Sequence, residues 1–276
     1  GAPSLPHGTL FQGVEYGGTS GPYGAADGTY WAIADDRGGE RGTPRYYRLG
    51  IDYDASGIHG VSILSETNML RPDGTAFPAN QRTVDPEGIR LAPNGNLYWS
   101  SEGNFSANPA SRFQPFVREM TATGTFVREF SVPSMFDYVD NVSSGARSNK
   151  SFEALTVDPD GTLWVANEDA LIQDGPITSL VNGSRVRVTA IDPATGQAVR
   201  QYAYGLPEIP LDAIPGAPFG PDNGLTELLA LGDDSFLAVE RAFAFGVGNT
   251  IRLVYSKVGT ATDTLALDSI AGDGLT

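Results

Sequence analysis

Seven acidic residues recur at matching places along this sequence, and an arginine directly follows two of them. Glu87 and Glu102 bracket two short apolar runs joined by Pro93-Asn94-Gly95-Asn96. Glu153 and Glu168 bracket a second such pair at the same spacing, around Asp158-Pro159-Asp160-Gly161. Glu227 and Glu240 bracket a third, two residues shorter. An earlier copy keeps only its second acid, within Asp35-Asp36-Arg37, and has Ser20 where the first would stand. Carboxylates gathered in one cavity repel, so protons, arginine or a metal ion must neutralise some of them. Ca²⁺ takes about six to eight oxygen ligands, and Asn149, Asn167 and Asn223 would add amide oxygens to such a set. A bound cation would polarise a phosphoryl or acyl oxygen and activate a water.

The candidate metal ligands are therefore Asp36, Glu87, Glu102, Glu153, Glu168, Glu227 and Glu240. Glu87 and Glu153 are the candidates for metal ligand or general base. Arg37 and Arg241 are candidate clamps for an anionic group, because the planar guanidinium fork matches phosphate and carboxylate. The same pattern has a structural reading. A repeated acid in tandem sheets can tie neighbouring sheets through salt bridges or backbone N–H groups, and each arginine can pair with the adjacent sheet.

Hairpins must position these residues. Asn-Gly between two short alternating runs is the strongest local hairpin signal, so each acid pair is expected at the open end of a hairpin. Two further strand candidates follow most hairpins: Arg45–Tyr53 with Gly60–Leu64, Phe116–Met120 with Phe126–Val132, Arg185–Ile191 with Ala198–Tyr204, and Thr250–Tyr255 with Asp263–Leu267. No stretch shows a helical period long enough to count. Tandem four-stranded antiparallel units predict an all-β fold, a β-propeller. Four repeats are countable in one domain spanning 1–276, with room for five or six blades and for an incomplete last blade. A strand at 10–16 is expected to complete a blade. Trp31, Trp99 and Trp164 fall on second strands, where core packing between blades is the expected role.

Other chemistries are poorly served. The only histidines are His7 and His59, neither at a repeat acid, so a Ser–His–Asp triad has no evident base. There is no cysteine, and zinc sites built on His or Cys are excluded by count. No Gly-x-Ser-x-Gly elbow or Walker-type loop occurs. A formal net charge of −15 argues against nucleic acid as a partner and is compatible with bound cations or with a plain solubilising surface. No apolar run is long enough for a membrane span.

The order and spacing of several short motifs resemble the phytase-like family, also called esterase-like activity of phytase. The matching residues are Asp35-Asp36-Arg37, Asp85-Pro86-Glu87-Gly88, Ser101-Glu102-Gly103, Asn149 with Phe152-Glu153-Ala154-Leu155, Asn167-Glu168 followed by Leu171, Gln201-Tyr202-Ala203-Tyr204, and Glu240-Arg241. Members commonly end with a further Asn-x-Glu-Gly unit, and this sequence runs to Ala271-Gly272-Asp273-Gly274 without one. The family name implies ester or phosphoester hydrolysis. The ligand pattern of the calcium-dependent β-propeller phytases is not seen, so their mechanism is not carried over.

The resulting expectation is a periplasmic or extracellular hydrolase of a small anionic ester or phosphoester, using a divalent cation, with Ca²⁺ the expected ion. The alternative is a non-catalytic extracellular or cell-surface binding propeller with structural Ca²⁺ and a protein partner. A propeller enzyme acting on sugars or lactones stays open as a third reading.

Overall fold

The computed structural model describes residues 5–6, 8–35, 42–140 and 143–272. The chain divides into two compact units, Gly1–Ser101 with Val117–Glu129, and Glu102–Phe116 with Phe130–Thr276. Both are all-β, and no α-helix forms among the described residues.

The first unit opens with a short hairpin, β1 (Leu10–Phe11) and β2 (Val14–Glu15). One strand was expected over 10–16, but Gln12 and Gly13 both adopt positive φ and reverse the chain. Two antiparallel sheets follow. One is β3 (Thr19–Gly24), β4 (Thr29–Ala34), β5 (Arg45–Asp54) and β6 (Gly57–Asn68), paired in that order. The other is β7 (Pro86–Leu91), β8 (Leu97–Ser101), β9 (Phe116–Met120) and β10 (Phe126–Glu129).

The second unit repeats the plan with β11 (Phe152–Val157), β12 (Leu163–Asn167), β13 (Ser184–Asp192) and β14 (Gln197–Leu206). Its other sheet has three strands, β15 (Asp222–Gly232), β16 (Ser235–Ala244) and β17 (Gly248–Lys257). Consecutive up-and-down antiparallel sheets are the blade construction of a β-propeller. The strand expected over 263–267 does not form. That segment hydrogen-bonds to β14 and β13 instead: Thr264 N donates to Gln201 O, Gln201 N to the Asp263 carboxylate, and Arg187 to Leu267 O.

The tight turns form where the sequence signals them. In the turn between β7 and β8, Asn96 N donates to the Asn94 side chain, and Gly95 takes the left-handed φ of +85 that glycine adopts most cheaply. The second strands of the two middle hairpins are buried on both faces; every residue of β8 and β12 is buried. Trp31, Trp99 and Trp164 are buried in β4, β8 and β12, each with an arginine over its ring, Arg48, Arg118 and Arg200. In the second unit Trp164 packs edge-on to Phe236, within one cluster with Leu225, Leu228 and Val186.

One irregularity recurs in all four inner hairpins. The pairing slips near the start of the first strand, between Ser20 and Tyr23, Pro86 and Ile89, Phe152 and Ala154, and Leu225 and Glu227. A bulge takes a residue out of the ladder and re-aims its side chain. In β7 and β11 the residues at the slip include the acids Glu87 and Glu153.

Candidate functional site

Among the described residues, six carboxylates form two groups of three, one in each unit. In the first unit Asp35, Asp85 and Glu87 each offer an oxygen within 4.8 Å of the others. Asp35 follows the end of β4, while Asp85 and Glu87 sit at the start of β7. Asp85 and Glu87 are buried. Arg82 pairs with Asp85 at 2.6 Å, and Asp85 N donates to Ser101 Oγ at 3.0 Å. The two sheets meet closely here. A Cβ on Gly21, at φ +54, would lie 2.9 Å from Glu87 O and 3.0 Å from Gly88 Cα. Arg90 donates to Gly21 O across the same seam.

In the second unit Glu102, Glu153 and Glu168 form the other group, again with oxygens within 4.8 Å. Glu153 is the residue left out of the ladder by the bulge in β11. Glu168 follows β12, and its backbone N–H donates to Ser151 O. Ser151 N in turn donates to Glu102 Oε1 at 2.9 Å. The Ser151 hydroxyl is buried and makes no hydrogen bond among the described residues.

Glu168 also belongs to a charge network. Lys150 Nζ lies 3.1 Å from Glu168 and 2.5 Å from Asp222, and Arg241 lies 3.9 Å from Glu168. Burial works against the Lys150 charge, but the Glu168 and Asp222 carboxylates outweigh it and raise its pKa, so Lys150 stays protonated. Burial pushes the Glu168 carboxyl up, against the pull of Lys150. Gly224 leaves room for this side chain: a Cβ there would collide with Glu168 Cγ.

Arg241 reaches from this network into an open pocket of about 660 Å³, lined also by Phe219, Pro221, Asp222, Phe243 and Asn249. Its side chain is 51% exposed.

The remaining acids have other surroundings. Glu227 lies one residue past the bulge of β15, where Thr226 is the residue left out of the ladder, and its carboxylate accepts from Leu228 N. Glu240 is buried with Arg252 at 3.0 Å and accepts from Tyr204 OH at 2.7 Å. Asp36, Arg37 and His7 lie outside the described residues. Asn167 is engaged by Arg187 N and Asp169 O, and Asn149 is an exposed residue at φ +56. His59 Nε2 faces both Asp54 and Ser56 on an exposed turn. Using one ring nitrogen for both partners is not a catalytic triad, in which base and orienting acid take different nitrogens.

Sequence reasoning did not single out Asp35, Asp85, Lys150 or Asp222 as site residues. Lys150 carried a signal, since the chain has only two lysines and this one stands three residues before a repeat acid. Asp85 was visible as the first residue of Asp85-Pro86-Glu87-Gly88.

Blades of antiparallel strands, with buried acids grouped where hairpin ends meet bulged strand starts, define a propeller-type protein whose acidic sites are suited to a cation. The chain belongs to the phytase-like family described as esterase-like activity of phytase, which it matches over residues 14–276. No curated protein matches it. Among solved structures it is similar to an endo-arabinase from Bacteroides thetaiotaomicron, at 11% identity and a TM-score of 0.47, over 88% of this chain and 75% of that one. It is also similar to a protein of unknown function from Dyadobacter fermentans, at 12% identity and a TM-score of 0.41, over 89% of this chain and 63% of that one. An endo-1,5-alpha-L-arabinanase from Thermotoga petrophila matches at 13% identity and a TM-score of 0.34, over 85% of this chain and 55% of that one. The chain thus spans less than two thirds of the latter two. No helix among the described residues is long and apolar enough to cross a membrane.

Proposed function

We propose that the protein hydrolyses ester or phosphoester bonds of small anionic substrates at the Glu102, Glu153 and Glu168 group. The observation that carries this reading is the position of Arg241, half-exposed at a pocket and 3.9 Å from Glu168. A cation for the substrate's anion and a set of carboxylates for the reacting bond thus stand side by side.

The residues fit a divalent ion such as Ca²⁺. The donor set is all hard oxygen, one from each acid within 4.8 Å, with the Ser151 backbone N–H hydrogen-bonded to Glu102. Glu102, Glu153 and Glu168 would hold the ion, which when bound would act as a Lewis acid on the substrate oxygen. Arg241 binds and orients the anionic group through its guanidinium fork. Glu153, half-buried where its companions are buried, is the acid placed to take a proton from water. Lys150 holds Glu168 in place and balances its charge. The group of Asp35, Asp85 and Glu87 supplies a second place where an ion fits.

Hydrolysis of p-nitrophenyl esters and phosphates, with chelator and then with Ca²⁺, Mg²⁺ or Mn²⁺, tests the proposal. Chelator-sensitive turnover that Glu153→Gln abolishes is expected; no turnover with any of the three ions refutes it. The burial of Glu102 and Glu168 favours a second reading, a binding propeller in which the cation only rigidifies the fold. That reading predicts Ca²⁺-dependent melting without turnover.

A further inference from the structure

The pocket beside Arg241 has a composition that the acid groups do not explain. Phe219 is a large aromatic residue left 55% exposed at its edge. Its ring stacks on Phe243, with centroids 6.2 Å apart and planes at 29°, and meets Phe245 edge-on at 5.4 Å. The aromatic wall is therefore held in place while one face stays open. Two polar side chains on the lining, Arg241 and Asn249, make no hydrogen bond among the described residues. The 3.9 Å contact of Arg241 with Glu168 is too long to be one.

The acid on the lining is already engaged. Asp222 accepts from its neighbour Asn223 N through one oxygen and from Lys150 through the other. Glu168 and Asp222 share the Lys150 ammonium, so the Arg241 guanidinium is the charged group on the lining that no short ion pair holds, in a chain of net charge −15. A pocket of about 660 Å³ also has the size usual for small-molecule sites.

We infer that this pocket binds an aryl group carrying a carboxylate or phosphate, with the ring against Phe219 and Phe243 and the anion on Arg241. Asn249 supplies a further hydrogen bond. The inference rests on the proposed hydrolase only in calling this ligand the substrate; binding itself does not depend on turnover.

The test is titration calorimetry with phenylphosphonate and methylphosphonate, whose C–P bonds are not esters, in the presence of chelator. Phenylphosphonate should bind about tenfold more tightly than methylphosphonate, the factor expected for stacking on an aromatic wall. Phe219→Ala should erase that preference while methylphosphonate affinity holds. Because Phe219 is exposed, this variant is expected to fold. Arg241→Gln should weaken both ligands about tenfold or more, as expected for loss of a hydrogen bond to a charged group. Equal affinity for the two phosphonates, no binding of either, or a preference that survives Phe219→Ala overturns the inference. Turnover of esters without aryl preference sinks the inference and spares the hydrolase; aryl preference without turnover does the reverse.

Discussion

Replacing Lys150 with methionine removes the one buried ammonium from the Glu168 network and keeps most of the stem. Lys150 and Glu168 have side-chain exposures of only 12% and 3%, so their pairing is scarcely screened, while Asp222 is 50% exposed. Breaking a buried pair from one side costs about 3–5 kcal/mol, because the remaining charge is left without its partner. The exposed half of the network adds less than about 1 kcal/mol. Arg241 can move toward Glu168 and recover part of the loss. The expected cost is therefore about 3 kcal/mol, the low end of the buried-pair range. At roughly 2–4 °C per kcal/mol for a chain of this size, melting should fall by about 6–12 °C. Urea unfolding of Lys150→Met, Glu168→Gln and the double variant measures the coupling. The double variant should lose much less than the sum of the single losses, since the neutral amide in place of the Glu168 carboxylate leaves no charge stranded. Added Ca²⁺ should raise the melting temperature of Lys150→Met more than that of the wild type, because ion and ammonium answer the same carboxylate. A loss below about 1 kcal/mol in Lys150→Met, with additive singles, would show that the pair is a screened surface contact and refute the reasoning.

Three further outcomes are expected. Gly224→Ala would put a methyl into Glu168 Cγ, so it should lower stability by about 1–3 kcal/mol and reduce any cation-dependent turnover, checked by melting and by the p-nitrophenyl assay. Gly21→Ala combines a left-handed φ with contact against the Glu87 and Gly88 backbone; it should destabilise the first unit more than Gly28→Ala, which also has a left-handed φ but open space, as differential urea melts would show. Glu119 gives a pH dependence. Burial alone would push its carboxyl up, but hydrogen bonds from Asn96, Asn94 and Arg128 outweigh it and hold the pKa below the ordinary 4.5. A depressed folded value means its stabilisation is complete above the unfolded pKa and is lost as pH falls through the folded one. Glu119→Gln should therefore flatten part of the acid limb of a stability–pH profile below about pH 4.5, and an unchanged limb would count against the assignment.

Much of the fold was legible because hairpins are local. Asn94-Gly95 and Asp160-Gly161 carry the turn geometry in their own residues, and the apolar second strands around Trp99 and Trp164 mark buried, two-faced strands. The segment over 263–267 looked like a strand by alternation, yet it went to Gln201 and Arg187. Its competing partners lie far away in sequence and leave no trace in its own pattern. The hairpin at 10–15 was read as one strand because positive φ at Gln12 is not a preference of that residue.

By itself the sequence determined that four hairpins would form and that acids would stand at the open ends of those around Trp99 and Trp164, since turn residues and apolar alternation act over a few positions. Glu227 and Glu240, expected at an open end, instead sit mid-strand because β15 and β16 stay paired out to Asp222 and Phe243. Tertiary structure decided which acids meet. A bulge leaves Glu153 out of the ladder, while the bulge of β15 leaves out Thr226 and keeps Glu227 paired. Only the seating of one strand against the next brought Asp35 to Glu87, or Lys150 to Asp222. A one-residue slip changes the face a side chain takes, and the energy that fixes that slip comes from the neighbouring sheet rather than from the strand's own residues.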